Sequence, residues 1–137
     1  MNLVLKTAVF LIADSRPCVD GICIPTKRLK FKHYREDGCP VLWRHARWMG
    51  AVGHCMKENG EPDFWFDDDG DSVLARIRFV EDGLGPWLSE MTAKGRIAAS
   101  INFLKDAPDD YLNQVTEISL THAGQQMCAR AVFKSWS

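Results

Sequence analysis

The 137-residue chain predicts a single α+β domain, mainly β, with an antiparallel or mixed sheet or barrel flanked by a few helices. Three features carry that expectation. Apolar runs of strand length recur along the chain, several with period-two alternation. Turn residues separate them at short intervals. One segment alone, Trp87 to Lys94, is bounded like a helix, with Pro86 suited to its first turn and Gly95 to the position past its end.

Taken in order, Leu3 to Asp14 holds two interleaved apolar sets, which suits a central strand covered on both faces. Asp14-Ser15-Arg16-Pro17 and Val19-Asp20-Gly21 are turns, and Ile22-Cys23-Ile24-Pro25 reads as a short strand stopped by proline. Lys27 to Tyr34 is strongly basic and is expected as a solvated helix or loop. Val41 to His45 is a short strand delivering a histidine at its end. Trp48 to Lys57 reads as the next strand, its glycines marking a bulge or a close backbone approach, and Asn59-Gly60 closes a hairpin onto Phe64-Trp65-Phe66. Val73 to Val80 alternates with one partly polar face. The helix follows, with Trp87, Leu88 and Met91 as its buried stripe. Arg96 to Leu104 returns as a strand containing Ser100, and Val115 to Leu120 alternates as another. The tail from Ala123 to Ser137 is expected as a helix, since Met127, Ala131 and Val132 fall on one side.

Composition excludes several function classes. Seventeen basic and eighteen acidic residues leave a net charge of −1, which provides no electrostatic footprint for nucleic acid or for an anionic membrane surface. The five cysteines, Cys18, Cys23, Cys39, Cys55 and Cys128, are an odd number without disulfide-framework spacing, so free thiols in a reducing compartment are expected. The apolar opening is interrupted by Lys6 and lacks a basic leader and a cleavage pattern. No run approaches the roughly 20 apolar residues that span a bilayer, so a soluble intracellular protein is expected.

No metal or cofactor is expected. The acidic run Asp67-Asp68-Asp69-Gly70-Asp71 resembles a calcium loop, but Trp65 and Arg76 stand where such a loop needs ligands. Cys18, Cys23, His54 and Cys55 lack the paired spacing of a zinc site. His33 lies in the basic stretch and is expected to be exposed.

The remaining chemistry centres on Ser100, a small hydroxyl among apolar residues just past a glycine stop. A serine hydroxyl attacks only when a base takes its proton and a third group holds that base in one tautomer. His45 is the candidate base, and Glu117 and His122 are candidates to orient it.

In order along the chain, Ile24-Pro25, Pro40-Val41-Leu42-Trp43-Arg44-His45, Gly50-Ala51-Val52-Gly53, Gly95-Arg96-Ile97-Ala98-Ala99-Ser100-Ile101-Asn102-Phe103 and Val115-Thr116-Glu117-Ile118-Ser119-Leu120 resemble a known succession. It is that of the prohead maturation proteases of tailed bacteriophages, which share the fold of the herpesvirus capsid-maturation protease, assemblin. The likeness covers roughly residues 20 to 125. It implies a herpesvirus-protease-like fold, with His45 as general base, Ser100 as nucleophile and Glu117 as third member. His122 is the alternative third member, because assemblins use a second histidine there. It also implies a serine endopeptidase that cleaves the major capsid protein or a scaffold segment, and itself, inside the assembling prohead in the host cytoplasm. A homodimer is implied too, since assemblins work as dimers; nucleic acid, membrane and cofactor have no part. The chain departs from the family pattern at Arg44 and Ala46 beside the histidine, at Asn102 where glycine is usual, and at Thr121-His122-Ala123-Gly124, where a proline-containing segment is usual. Those departures leave a second expectation, a catalytically inactive phage structural or capsid-assembly protein that keeps the fold.

Overall fold

A computed structural model describes residues 6–14, 24–68, 70–104, 107–109, 111–123 and 133–136. The order of elements is β1 (Thr7–Ala13), a 3-10 turn at Thr26–Arg28, α1 (Lys32–Glu36), β2 (Pro40–Trp43), a second 3-10 turn at Arg47–Met49, β3 (Gly53–His54), β4 (Phe64–Phe66), β5 (Val73–Phe79), α2 (Gly85–Ala93), β6 (Ile97–Phe103), β7 (Val115–His122) and β8 (Phe133–Trp136). The strands form one mixed sheet in the order β6-β7-β2-β3-β5-β1-β8, with β4 also on β5. The sheet curls until β1 packs near β6, so it is nearly closed. The result is a small, mainly β, α+β domain with two helices among the described residues.

The central-strand expectation for the N-terminal segment agrees with β1, which has β5 on one edge and β8 on the other. Its even positions, Ala8, Phe10 and Ile12, enter the main core. Val9 and Leu11 face the other way and pack with Leu74 and Trp65. The apolar residues preceding Lys6 lie outside the described residues, as do Ile22 and Cys23. Ile24 and Pro25 are not in a strand.

Four further expectations are corrected. Trp48 to Lys57 is not one strand: Gly50, at φ +75°, ends the 3-10 turn, and only Gly53 and His54 are extended. Gly53 makes the close approach expected of a glycine there, since a Cβ would lie 2.7 Å from the Arg78 carbonyl oxygen. Asn59-Gly60 does form a turn, closed by Gly60 N–H to Lys57 O at 3.0 Å and Lys57 N–H to Glu61 O at 2.8 Å. However, β4 pairs with β5, because both edges of β3 are taken, one by β2 and the other by β5. On α2 the buried residues are Gly85, Leu88, Ser89 and Thr92, while Trp87 is 38% exposed. The tail expectation fails at Phe133–Trp136, a strand that fills the second edge of β1. Unpaired edge groups on β1 reward an extended segment there, and Phe133 and Trp136 suit a strand better than a helix. Residues 124–132 lie outside the described residues.

The basic stretch is anchored by Tyr34, which is fully buried and donates its hydroxyl to the Pro40 carbonyl at 2.9 Å. Cys39 and Cys55 are free and buried; Cys55 Sγ donates to Asp63 O at 3.3 Å. Cys18, Cys23 and Cys128 lie outside the described residues. Among the described residues no helix is long and apolar enough to cross a membrane.

Two predictions follow from this packing. Leu88→Ala opens a cavity under α2 and should cost about 2–5 kcal/mol, whereas Trp87→Ala, on the exposed flank, should cost less. Equal losses of urea midpoint in the two variants would contradict the placement of the helix. The second concerns alkaline pH. Burial pushes the Cys55 thiol up to about 12 and the Cys39 thiol up to about 11 from an ordinary 9.0, and it raises the Tyr34 phenol well above its usual value. Well below pH 9.0 these thiols hold their protons in both folded and unfolded chains, so their contribution to stability is fully present. Above it the unfolded chain ionises first, so the urea midpoint should fall as pH rises through about 11. A midpoint that stays constant from pH 9.0 to about 11 would refute this.

Candidate active site

The candidate site lies on the sheet face formed by β6 and β7. These strands pair antiparallel, with Ser100 opposite Ser119 and Asn102 opposite Glu117. Residues directly opposite in such a pair share a face, and residues two apart along a strand share it too. Ser100, Asn102, Glu117 and Ser119 therefore project together. Ile97, Ala99, Ile101, Ile118 and Leu120 project the other way, into the core.

One irregularity separates Glu117 from the core residue Val115. The register passes from Asn102↔Glu117 to Phe103↔Val115, so Thr116 is an extra residue, a β-bulge. Its hydroxyl donates to the Asn102 carbonyl at 3.2 Å. Without the bulge Val115 and Glu117 would share a face. With it Val115 is fully buried in the core while Glu117 joins the polar cluster.

His45 reaches this face from β2, which runs parallel to β7 with Leu42 beside Ser119. Past Trp43 the chain turns through Arg44 and His45, both in the left-handed region at φ +51° and +61°. Neither is glycine or asparagine, so the turn is strained by roughly 1–3 kcal/mol per residue. Three backbone hydrogen bonds hold it: Arg44 N–H to Leu120 O at 2.8 Å, Ala46 N–H to Trp43 O at 2.9 Å, and His45 N–H to the Ser119 hydroxyl oxygen at 2.9 Å. The imidazole then lies against Glu117, with Nδ1 3.0 Å from Oε2.

The protonation pattern follows from the acceptors. A carboxylate oxygen and a bare ring nitrogen both accept, so at 3.0 Å a proton must lie between them, on Nδ1. Nε2 is then the acceptor of the neutral ring, the tautomer a general base requires. Asn102 Nδ2 donates to Glu117 Oε1 at 3.2 Å. It also lies 3.1 Å from His45 Nδ1, but two donors cannot bond, so that approach is a contact only. Glu117 is 5% exposed, and its two oxygens are divided between His45 and Asn102, with the Arg47 guanidinium 3.9 Å from Oε1. Arg47 also lies 3.9 Å from Asp37, and its high exposure makes these long ion pairs minor contributors.

His122 lies elsewhere. It is five positions from Glu117 on a strand that alternates regularly between them, and so faces the opposite side. There it packs edge-on against Trp43 and Trp87, with ring centroids 5.2 Å and 5.9 Å away. The structure brings His45 to Glu117 and not to His122. Ser100 lies on the shared face beside Asn102 and is 3% exposed. Thr121 is fully buried on that same face opposite Ala98, and its hydroxyl has no hydrogen-bond partner among the described residues. His33 and His54 lie on other elements, and His54 is exposed on β3.

Sequence reasoning assigned no role to Ser119, Asn102 or Arg47. Ser119 and Asn102 had a usable signal: each is two positions along a strand from a candidate, Ser119 from Glu117 and Asn102 from Ser100. Arg47 had none, because a 3-10 turn delivers it.

No protein-family model, no curated protein and no solved structure matches this chain.

Ser119→Ala removes the acceptor for the His45 N–H and should lower stability by about 1–3 kcal/mol. It should also broaden the His45 ring resonances as the strained turn loosens. Retention of both wild-type stability and sharp ring signals would show that the hydrogen bond does not hold the turn.

Proposed function

We propose that the chain is a serine endopeptidase with Ser100 as nucleophile, His45 as general base and Glu117 as the group that orients the base. The observation that carries this reading is the 3.0 Å contact of His45 Nδ1 with Glu117 Oε2, on the sheet face that also bears Ser100. A buried carboxylate on Nδ1 leaves Nε2 to accept a proton, the division of labour that serine hydrolysis needs. The order of motifs along the chain, which resembles that of prohead proteases, supports the same reading and extends it to a herpesvirus-protease-like fold.

In the proposed reaction His45 Nε2 takes the proton from Ser100 Oγ as that oxygen bonds to the peptide carbonyl carbon. The carbonyl π pair moves onto oxygen, where backbone amides stabilise it. The C–N bond then breaks, and His45 passes the proton to the leaving amine. Water, deprotonated by the same nitrogen, hydrolyses the acyl-enzyme and regenerates Ser100. The substrate is a flexible, extended segment of a major capsid or scaffold protein, and of the chain itself, inside an assembling phage head. β6 stands at one end of the strand order, with β7 its only hydrogen-bonded strand partner among the described residues, and strand addition of an extended peptide beside Ser100 belongs to the same proposal. Self-association into a homodimer belongs to the same proposal.

A second reading has its own support. Ser100 is almost fully covered, and Asn102 stands where the resembled proteases usually have glycine, with its amide against the catalytic histidine. A phage structural or assembly protein that keeps the fold without hydrolysis accounts for both features.

The test is co-expression of the wild-type chain, Ser100→Ala and His45→Ala with the capsid or scaffold protein encoded beside it, read by intact mass. Cleavage by wild type, lowered by at least about 10³-fold in each folded variant, is expected. An intact partner with all three proteins folded would remove the enzyme reading, and stoichiometric presence of the uncleaved chain in particles would favour the structural one.

A further inference from the structure

We propose that Asn102 is the positioning residue of this site: its amide holds Glu117 Oε1 and thereby keeps Oε2 on His45 Nδ1. The inference rests on the protease reading for its effect on rate, but its structural content stands on the geometry alone.

Glu117 is nearly buried, and a buried carboxylate keeps a fixed orientation only when both oxygens are engaged. Oε2 is engaged by His45 at 3.0 Å. Among the described residues the donor within 3.5 Å of Oε1 is the Asn102 amide at 3.2 Å, while the Arg47 guanidinium is 3.9 Å away on an exposed side chain. Remove the amide and the carboxylate is free to turn about its terminal torsion, which is broad for a glutamate. His45 would then have no single acceptor fixing its Nδ1 proton.

The backbone around Asn102 fits the role. It lies directly across from Glu117 at the last regular pair before the bulge, and Thr116 ties its carbonyl across the strands. The amide therefore comes from a braced strand and not from a loop. The close approach of Nδ2 to Nδ1, 3.1 Å between two donors, adds a constraint of the opposite kind. It is tolerable only while the Nδ1 proton points at the carboxylate, so it disfavours rotation of the ring away from Glu117.

Two variants separate the donor from the shape of the side chain. Asn102→Leu keeps the branched volume at an exposed strand position and removes the donor; Asn102→Gln keeps an amide one methylene further out. The first readout needs no substrate: nitrogen-15 shifts of the His45 ring report which nitrogen carries the proton. Wild type should show the proton on Nδ1, Asn102→Leu a mixture of the two tautomers, and Asn102→Gln a return toward wild type. A single Nδ1–H tautomer in folded Asn102→Leu, as sharp as in wild type, would overturn the proposal. The second readout is hydrolysis of the co-expressed partner's cleavage-site peptide, where Asn102→Leu should lower kcat by about 10–100-fold with KM little changed. A loss confined to KM would make Asn102 a substrate contact and overturn the positioning role. If wild type cleaves nothing, the protease reading fails by itself, and the tautomer comparison still decides whether Asn102 holds Glu117.

Discussion

Strand β7 is the constraint on which the rest of the structure depends. It is held between β6, antiparallel, and β2, parallel, so its two faces are assigned by two neighbours at once. Ile118 and Leu120 fill the core and, by parity, Glu117 and Ser119 cannot. A shift of one residue would turn the Glu117 carboxylate toward the core and expose Ile118 and Leu120. The cost of either change pins the register, and the pinned register brings a glutamate and a serine to the end of β2.

The bulge at Thr116 refines that constraint. It lets the strand serve the core at Val115 and the site at Glu117, two residues apart, which regular alternation forbids. Bulges favour positions beside sites because they re-aim one side chain without disturbing the rest of the ladder. The left-handed pair Arg44 and His45 does similar work at the end of β2. Strain of this kind persists only where surrounding bonds over-determine it, and the bonds to Leu120 and Ser119 both come from β7. Histidine, carboxylate and turn are thus fixed by one strand.

The aromatic cluster of Trp43, Trp87 and His122 occupies the other side of the same sheet. Each pair is edge-to-face, with Trp43 and Trp87 at 5.4 Å, an arrangement that suits the ring quadrupoles. It packs the first turn of α2 against the ends of β2 and β7. His122 therefore belongs to the packing of the helix, and its nearness to Glu117 in sequence does not bring it to His45. On a strand, an odd separation places two residues on opposite faces, whatever their chemistry.

Much of the fold was legible in local pattern. The alternation of Val73 to Val80, the Pro86 and Gly95 bounds of the helix, and the turn at Asn59-Gly60 each have a cause within a few residues, so β5, α2 and that turn were readable. Ser100 and Glu117 were readable as residue types at strand positions, whereas His45, expected at the end of a strand, lies in the left-handed turn two residues past β2. What the sequence alone could not decide depends on partners distant in the chain. The short tail strand exists because β1 has an edge to fill. Hairpin pairing failed at β4 because both edges of β3 were occupied. Which of Glu117 and His122 lies against His45, and that Asn102 meets Glu117, turned on which face each side chain occupies once β6 and β7 are paired with a bulge between them. Local propensity determines whether a segment is extended or helical; register, parity and edge occupancy determine what its side chains meet, and only the assembled sheet supplies those.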